Sequence, residues 1–347
     1  MNLQQLRYLS EVAKQGLNLS RAAQALHTSQ PGISKQLRLL EGELGAELLV
    51  RQGNRITALT EPGQQALAIA RRMLRDLDNL RRVGEQAADA GQGSLVIATT
   101  HAHARYVLIP VVQAFQQRFP GVHLSLRQGN PDQIVELIQT GAADLGLCTR
   151  PTVSTADLRA LPCYLIRRCV LVTQRHPLLR KKLISHADLA QWPMITLDAS
   201  FAGGVAVLSA FAQKNIAPKV VLSATDADVI KAFVASGMGI ATLPEWAYSA
   251  ERDVGLKSIN ARHLFPPAVS YLWLQPHQYL RGYALDFIQM LSRVWAPERV
   301  KMALADEQPL DDALAVDLSL TAERAAAPAK ARSGRRIAAS SSRLIST

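Results

Sequence analysis

Cysteine is scarce in this chain of 347 residues: Cys148, Cys163 and Cys169 are the only three. That is too few for a disulfide framework, and none stands in a CxxC or Cys/His zinc spacing. Aromatic residues make up 5% of the chain and are absent beyond Pro297. No run approaches the roughly 18 unbroken apolar residues of a membrane span. The opening MNLQQLRYLSEVAKQG is amphipathic with charges inside it, unlike the apolar core of a secretion signal. Enzyme signatures are missing too. There is no GxSxG, P-loop or HExxH, and Gly237-Met238-Gly239-Ile240 is too sparse for a dinucleotide fingerprint. Cys163 beside Pro162 reads as a buried thiol, not a nucleophile. These absences lead to the expectation of a cytoplasmic non-enzyme with no membrane partner, metal or cofactor.

Positive charge is what the chain has in excess: 39 Lys and Arg against 28 Asp and Glu, a net +11. It points to an anionic partner, whether nucleic acid, membrane surface or acidic metabolite. Its placement is uneven. Residues 1–60 carry +3, residues 61–92 are balanced, residues 93–320 carry +3 and residues 321–347 carry +5. At about 100–200 residues per domain, the length allows two or three domains.

Within residues 1–60, Leu3, Leu6, Leu9 and Val12 recur on one side of a first helix. Asn18-Leu19-Ser20 precedes a second, alanine-rich helix over Arg21–His27. A third begins at Ser29, a suitable N-cap with Pro31 in its first turn, and buries Ile33, Leu37, Leu40 and Leu44 before Gly45. Two short strands flank Gln52-Gly53-Asn54. The sum is a winged helix-turn-helix. In that motif the start of the third helix meets base edges in the major groove. Gln30 suits adenine, Lys35 and Arg38 suit guanine or phosphate, and Thr28, Ser29, Pro31 and Ser34 lie on the same approach. Arg51 and Arg55 flank the wing turn and suit phosphates. Taken singly, each is a solvated helix or wing residue. As a group on one element they read as DNA contacts.

Residues 61–92 form a long linker helix, with Leu67, Ala70, Leu74, Leu77 and Leu80 or Val83 spaced for pairing with a partner helix; the alternative is packing within the chain. From Ser94, strands and helices alternate, the pattern of a parallel sheet covered by helices. The expected fold class is α/β, with two lobes over residues 93–300: lobe I from 93–165 and 269–300, lobe II from 166–268. A cleft between such lobes, near strand C-terminal ends, suits a small ligand. The Ala/Ser/Arg-rich end leads to a disordered tail over residues 301–347.

Many fixed spacings agree with a known family. Leu6-Arg7-Tyr8, Ala22-Ala23-Gln24-Ala25-Leu26, Ser29-Gln30-Pro31-Gly32-Ile33-Ser34-Lys35-Gln36, Leu49-Val50-Arg51 and Leu59-Thr60-Glu61-Pro62-Gly63 resemble the LysR-type transcriptional regulators. That resemblance implies a DNA-binding domain, a dimerising linker helix and an effector domain like periplasmic binding proteins. It implies promoter DNA and RNA polymerase as partners, in a homodimer or homotetramer. Ile97-Ala98-Thr99-Thr100-His101, Leu161-Pro162-Cys163-Tyr164 and Ala224-Thr225-Asp226-Ala227-Asp228 resemble the CysB and Cbl branch. This narrower likeness implies control of sulfur assimilation or cysteine biosynthesis, with O-acetylserine, N-acetylserine or a sulfate-like anion as effector. The alternatives are a LysR-type regulator of another pathway and, more distantly, a solute-binding protein.

The resemblance implies an anion held at the positions of Thr100, Ala102, His103, Thr149 and Ala202; Thr99 and His101 at the same strand end, and Thr225 bordering the cleft, complete the candidate effector residues. Hydroxyls and N–H groups at a strand-to-helix turn suit an oxyanion. In the resembling branch the positions of Ala102 and Ala202 are usually threonine and that of His103 glutamine, which puts sulfate itself in doubt. His101 and His103 offer pH-dependent positive charge near pH 6.5, or simply sit at a solvated strand end.

Overall fold

The computed structural model describes residues 1–53, 55–89, 91–306 and 310–317. The first three helices, α1 (Leu3–Lys14), α2 (Leu19–Ala25) and α3 (Gln30–Leu44), each begin at a polar cap. The side chains of Asn2, Asn18 and Ser29 accept the N–H of Gln5, Arg21 and Gly32 at 3.0, 3.0 and 3.2 Å. Leu6, Leu9, Val12, Ile33, Leu37 and Leu40 close over Ala22 and Ala23, whose small side chains let the helices approach. Leu44 departs from the expected buried stripe: it is exposed in the last turn, and the inward position passes to Glu41. Gly45, at φ 66°, ends α3 in the left-handed conformation. Strands β1 (Leu49–Gln52) and β2 (Arg55–Leu59) form the wing.

Helix α4 (Glu61–Ala88) starts where Thr60 accepts the N–H of Gly63 at 3.0 Å. A Cβ on Gly63 would lie 1.9 Å from the Leu48 carbonyl oxygen, so only glycine lets α4 cross the wing here. The apolar seam of α4 divides. Leu67 and Ala70 are buried in the helix-turn-helix core and Leu74 packs against it, so this half is satisfied within the chain. Ile69, Met73, Leu80 and Val83 remain exposed. The C-terminal half docks on the following domain. There Arg82 pairs with Asp144 at 2.6 Å, and Asn79 accepts the N–H of Tyr279 at 3.0 Å.

The remaining chain builds β3 (Gly93–Thr99), α5 (His101–His103), α6 (Ile109–Arg118), β4 (Val122–Gln128), α7 (Pro131–Gln139), β5 (Leu145–Thr149) and β6 (Arg159–Ile166). After Arg167 come β7 (Arg168–Thr173), α8 (His186–Ala190), β8 (Met194–Leu197), α9 (Ala202–Ala212), β9 (Val220–Ala224), α10 (Ala227–Ala235), β10 (Ile240–Pro244) and β11 (Leu256–Asn260). The chain then returns through β12 (Ala268–Leu274), α11 (Gly282–Leu291), α12 (Pro297–Ala305) and β13 (Val316–Asp317). Two sheets result, in the orders β13-β6-β12-β5-β3-β4 and β11-β7-β10-β8-β9.

Both sheets are mixed, not purely parallel: β12 runs antiparallel to β5 and β6, and β7 antiparallel to β10 and β11. The expected tail over 301–347 is corrected at its start. Helix α12 buries Val300, Ala303 and Leu304 in the lobe I core, and β13 pairs with β6. The Ala/Ser/Arg-rich remainder lies outside the described residues. Among the described residues no helix is long and apolar enough to cross a membrane.

Candidate functional site

The outer face of α3 is the inverse of its buried stripe. With Ile33, Leu37 and Leu40 turned inward, Gln30, Pro31, Lys35 and Arg38 are exposed and Ser34 is half-buried beside them. Thr28 and Ser29 are exposed at the start of the same helix, so one surface collects every α3 candidate. Arg55 is exposed on β2. Arg51 is different. Its Nη1 and Nη2 donate to Glu41 at 3.1 and 2.6 Å. Glu41 is itself buried and also accepts the N–H groups of Leu48 and Leu49 at 2.9 and 3.1 Å. Arg51 is therefore a brace between α3 and the wing. Its expected phosphate role competes with that pairing.

At the end of β3, Thr99 turns away from any cleft: it is fully buried and donates to the Leu147 carbonyl at 3.0 Å. Thr100 caps the next helix, which begins at His101 directly after the strand. It continues through a π-helical turn over Ala104–Leu108 into α6. Starting there puts His103 inside. Its Nδ1 lies 2.7 Å from the Thr100 hydroxyl and its Nε2 lies 2.8 Å from that of Ser270. The ring also packs on Trp246 at 5.5 Å between centroids. Burial lowers its pKa to about 4, so His103 is neutral at pH 7 and adds no positive charge. This corrects the solvated-strand-end reading and removes one of the two expected cations. His101 is exposed, with Nδ1 4.0 Å from the Asp226 carboxylate. Ala102 and Thr149 are half-buried, and Thr149 stands opposite Ser270 in the sheet. Thr225 is exposed just before Asp226, and Ala202, half-buried, opens α9 in lobe II.

The π turn carries Tyr106 across to lobe II. Its hydroxyl donates to Asp228 at 2.5 Å and accepts from the Lys231 ammonium at 2.6 Å. Arg105 also reaches Asp228, at 2.9 Å. Burial opposes the charge on Lys231, but its bonds to Asp253, Tyr106 and Asp228 outweigh that and raise its pKa. Burial raises the pKa of Tyr106, and its bond to Asp228 adds to the rise. The result is a polar latch between the lobes. The sequence offered a faint signal for it: Lys231 interrupts the apolar face made by Ala227, Ile230 and Val234. Ser270 is likewise a lone polar residue facing inward in β12. A cavity of about 500 Å³ lies elsewhere, between α4 and lobe I, lined by Leu80, Val83, Leu280 and Leu304 among others. It belongs to the joint between linker and effector domain, not to the edge where the lobes meet.

Comparison with known proteins follows the same division. Residues 3–64 match the model described as bacterial regulatory helix-turn-helix protein, lysR family, and residues 88–296 match the LysR substrate binding domain. The chain is 44% identical over 292 residues to the HTH-type transcriptional regulator SsuR of Burkholderia cenocepacia, covering 84% of this chain and 95% of that one. It is 42% identical over 307 residues to CysB of the same organism, covering 88% and 98%. With cbl of Escherichia coli it shares 37% over 313 residues, covering 90% and 99%. The crystal structure of the cofactor-binding domain of the Cbl transcriptional regulator superposes with a TM-score of 0.59 at 35% identity, over 62% of this chain and 94% of that one. HinK, a LysR family transcriptional regulator from Pseudomonas aeruginosa, shares the fold at a TM-score of 0.53 and 21% identity, over 85% and 99%.

Proposed function

The chain belongs to the LysR family of DNA-binding transcriptional regulators, and from that premise we propose how its parts divide the work. Helix α3 reads the promoter through Gln30, Ser34, Lys35 and Arg38, with Thr28, Ser29 and Arg55 on phosphates. The observation that carries this reading is the single outward surface of α3, polar and cationic, on a helix whose opposite stripe is buried. A second copy covers the exposed Ile69, Met73, Leu80 and Val83 of α4, whose spacing suits a helix pair. The assembly is a dimer or tetramer that contacts RNA polymerase at the promoter.

The effector is a small molecule with an anionic group, bound where the two lobes face each other, near Thr100, Ala102 and Thr149 of lobe I and Ala202 and Thr225 of lobe II. Likeness to the CysB, Cbl and SsuR regulators supports control of sulfur assimilation and cysteine biosynthesis, with O-acetylserine, N-acetylserine or a sulfate-like anion as the ligand. A different small anion is favoured over sulfate itself by two observations. The Thr100 hydroxyl is already engaged by His103, and Ala202 has no hydroxyl to offer. An effector switches the regulator only by binding one geometry of the assembly better than the other. Footprinting of sulfur-assimilation and cysteine-biosynthesis promoters, with and without each ligand, tests the reading. The expected result is a protected interrupted inverted repeat whose footprint changes with one of these ligands. A footprint that none of them alters would refute the effector assignment.

A further inference from the structure

Four of the buried polar atoms that lack a hydrogen-bond partner among the described residues belong to one region: Nε and Nη1 of Arg168 and the hydroxyl oxygens of Thr196 and Thr242. The three residues stand on neighbouring strands. Arg168 opens β7 opposite Pro244 of β10, and Thr242 pairs with Val170 two residues farther along. Side chains alternate along a strand, so Arg168 and Thr242 share a face. The parallel pairing of Ala241 with Ile195 then sets Thr196 of β8 beside Thr242. The same face carries α9, since Val170 and Met194 pack with Val207 and Phe211.

The guanidinium of Arg168 is pressed against the first turn of α9: a Cβ on Gly203 would lie 2.6 Å from its Nη2. That helix has 11 residues, and its N-cap, Phe201, supplies no side-chain acceptor for the first N–H groups. A cation only 2% exposed, with no acid paired to it among the described residues, is costly to bury. Burial lowers its pKa to about 10, which leaves it protonated at neutral pH. The region lies at the edge of lobe II that meets lobe I, because the chain enters from β6 through the preceding residue, Arg167, and the parallel strands β8 and β10 end here.

We propose that Arg168, the first turn of α9 and the hydroxyls of Thr196 and Thr242 form an oxyanion subsite that holds the carboxylate or sulfate group of the effector. The subsite rests on the reading of the cleft as a site for a small anionic effector. It supplies the full countercharge that the threonine-rich edge of lobe I lacks, and the fork of the guanidinium suits two oxygens at once.

The test is calorimetry on the full chain with N-acetylserine and with sodium sulfate, the first probing a carboxylate and the second a tetrahedral anion. Wild type, Arg168→Met and Thr242→Val are compared, each with a thermal melt in the absence of ligand. Arg168→Met is expected to weaken whichever probe binds by about tenfold or more, and Thr242→Val by about threefold to tenfold. Without ligand, Arg168→Met is expected to melt at or above wild type, because an apolar side chain of similar length removes an uncompensated charge. Equal affinity in wild type and Arg168→Met overturns the subsite and leaves the anionic-effector reading intact. A marked fall in the melting temperature of Arg168→Met overturns it as well, by making the guanidinium a structural partner. Should that variant fail to fold, unchanged affinity in Thr242→Val, which keeps the side-chain shape, overturns it independently. A wild type that binds neither probe overturns the subsite, and with it the effector reading for N-acetylserine and sulfate.

Discussion

Replacing Glu41 by alanine removes the acceptor that ties the wing to α3. Three groups lose their partner together: the N–H groups of Leu48 and Leu49, bonded at 2.9 and 3.1 Å, and the Arg51 guanidinium, held at 2.6 and 3.1 Å. An unsatisfied buried N–H costs about 1–3 kcal/mol. The Arg51 side chain is a quarter exposed and can turn toward water, so its share is smaller. The expected loss is about 3 kcal/mol, short of the sum of the parts because the groups act on one carboxylate. Amide hydrogen exchange reads it locally. The Leu48 and Leu49 amides are expected to exchange about a hundredfold faster in Glu41→Ala, while the lobe cores keep their protection. Arg51→Ala leaves the acid with both backbone bonds and is expected to cost about 1 kcal/mol. Wild-type exchange at Leu48 in Glu41→Ala would refute the brace, and so would equal effects from the two variants.

Further outcomes follow from the same geometry. Arg55→Ala is expected to reduce the slope of log affinity for promoter DNA against log salt by about one, and Arg51→Ala to leave it unchanged; binding titrations from low to high salt check both. His103 has its folded pKa lowered from 6.5 to about 4, so its contribution is present above pH 6.5 and lost as pH falls from 6.5 toward 4. That amounts to about 3 kcal/mol of effector-domain stability over the window. Melts across pH 4–7 are expected to show a shallower decline in His103→Gln, and parallel curves for the two proteins would refute the assignment. Removing residues 321–347, which carry six Lys/Arg and one acid, is expected to flatten the salt dependence of non-specific DNA binding. An unchanged slope removes the tail from DNA contact.

The N-terminal helices were legible because their signals are local. Caps at Asn18 and Ser29 and the inward row of Ile33, Leu37 and Leu40 depend on residues three or four apart. Leu44 continues the apolar stripe past the last turn that has anything to pack against, so its spacing alone does not bury it. Strand β6 carries little local signal: it is buried along most of its length, so it shows no alternation, and Pro162 interrupts it. The antiparallel course of β12 depends on where the chain returns after lobe II, which no local spacing encodes. The burial of His103 is hidden from the sequence for a related reason. The stretch Thr100-His101-Ala102-His103-Ala104-Arg105 has no apolar period to reveal that it is already helical, so its burial against Ser270 and Trp246 is a tertiary fact. Arg51 and Arg168 show the same limit. Their charge is visible in the sequence, but a partner ten residues away or a helix start packed overhead is not.

If the outward surface of α3 reads the promoter, single substitutions on it lower sequence discrimination. Fluorescence anisotropy with a labelled promoter fragment and a scrambled control, on wild type, Gln30→Ala and Arg38→Ala, tests it most directly. Each substitution is expected to weaken specific binding by about 1–3 kcal/mol with oligomer size unchanged, bringing specific affinity closer to that for the control. Variants that bind and discriminate as wild type does would remove α3 from promoter reading.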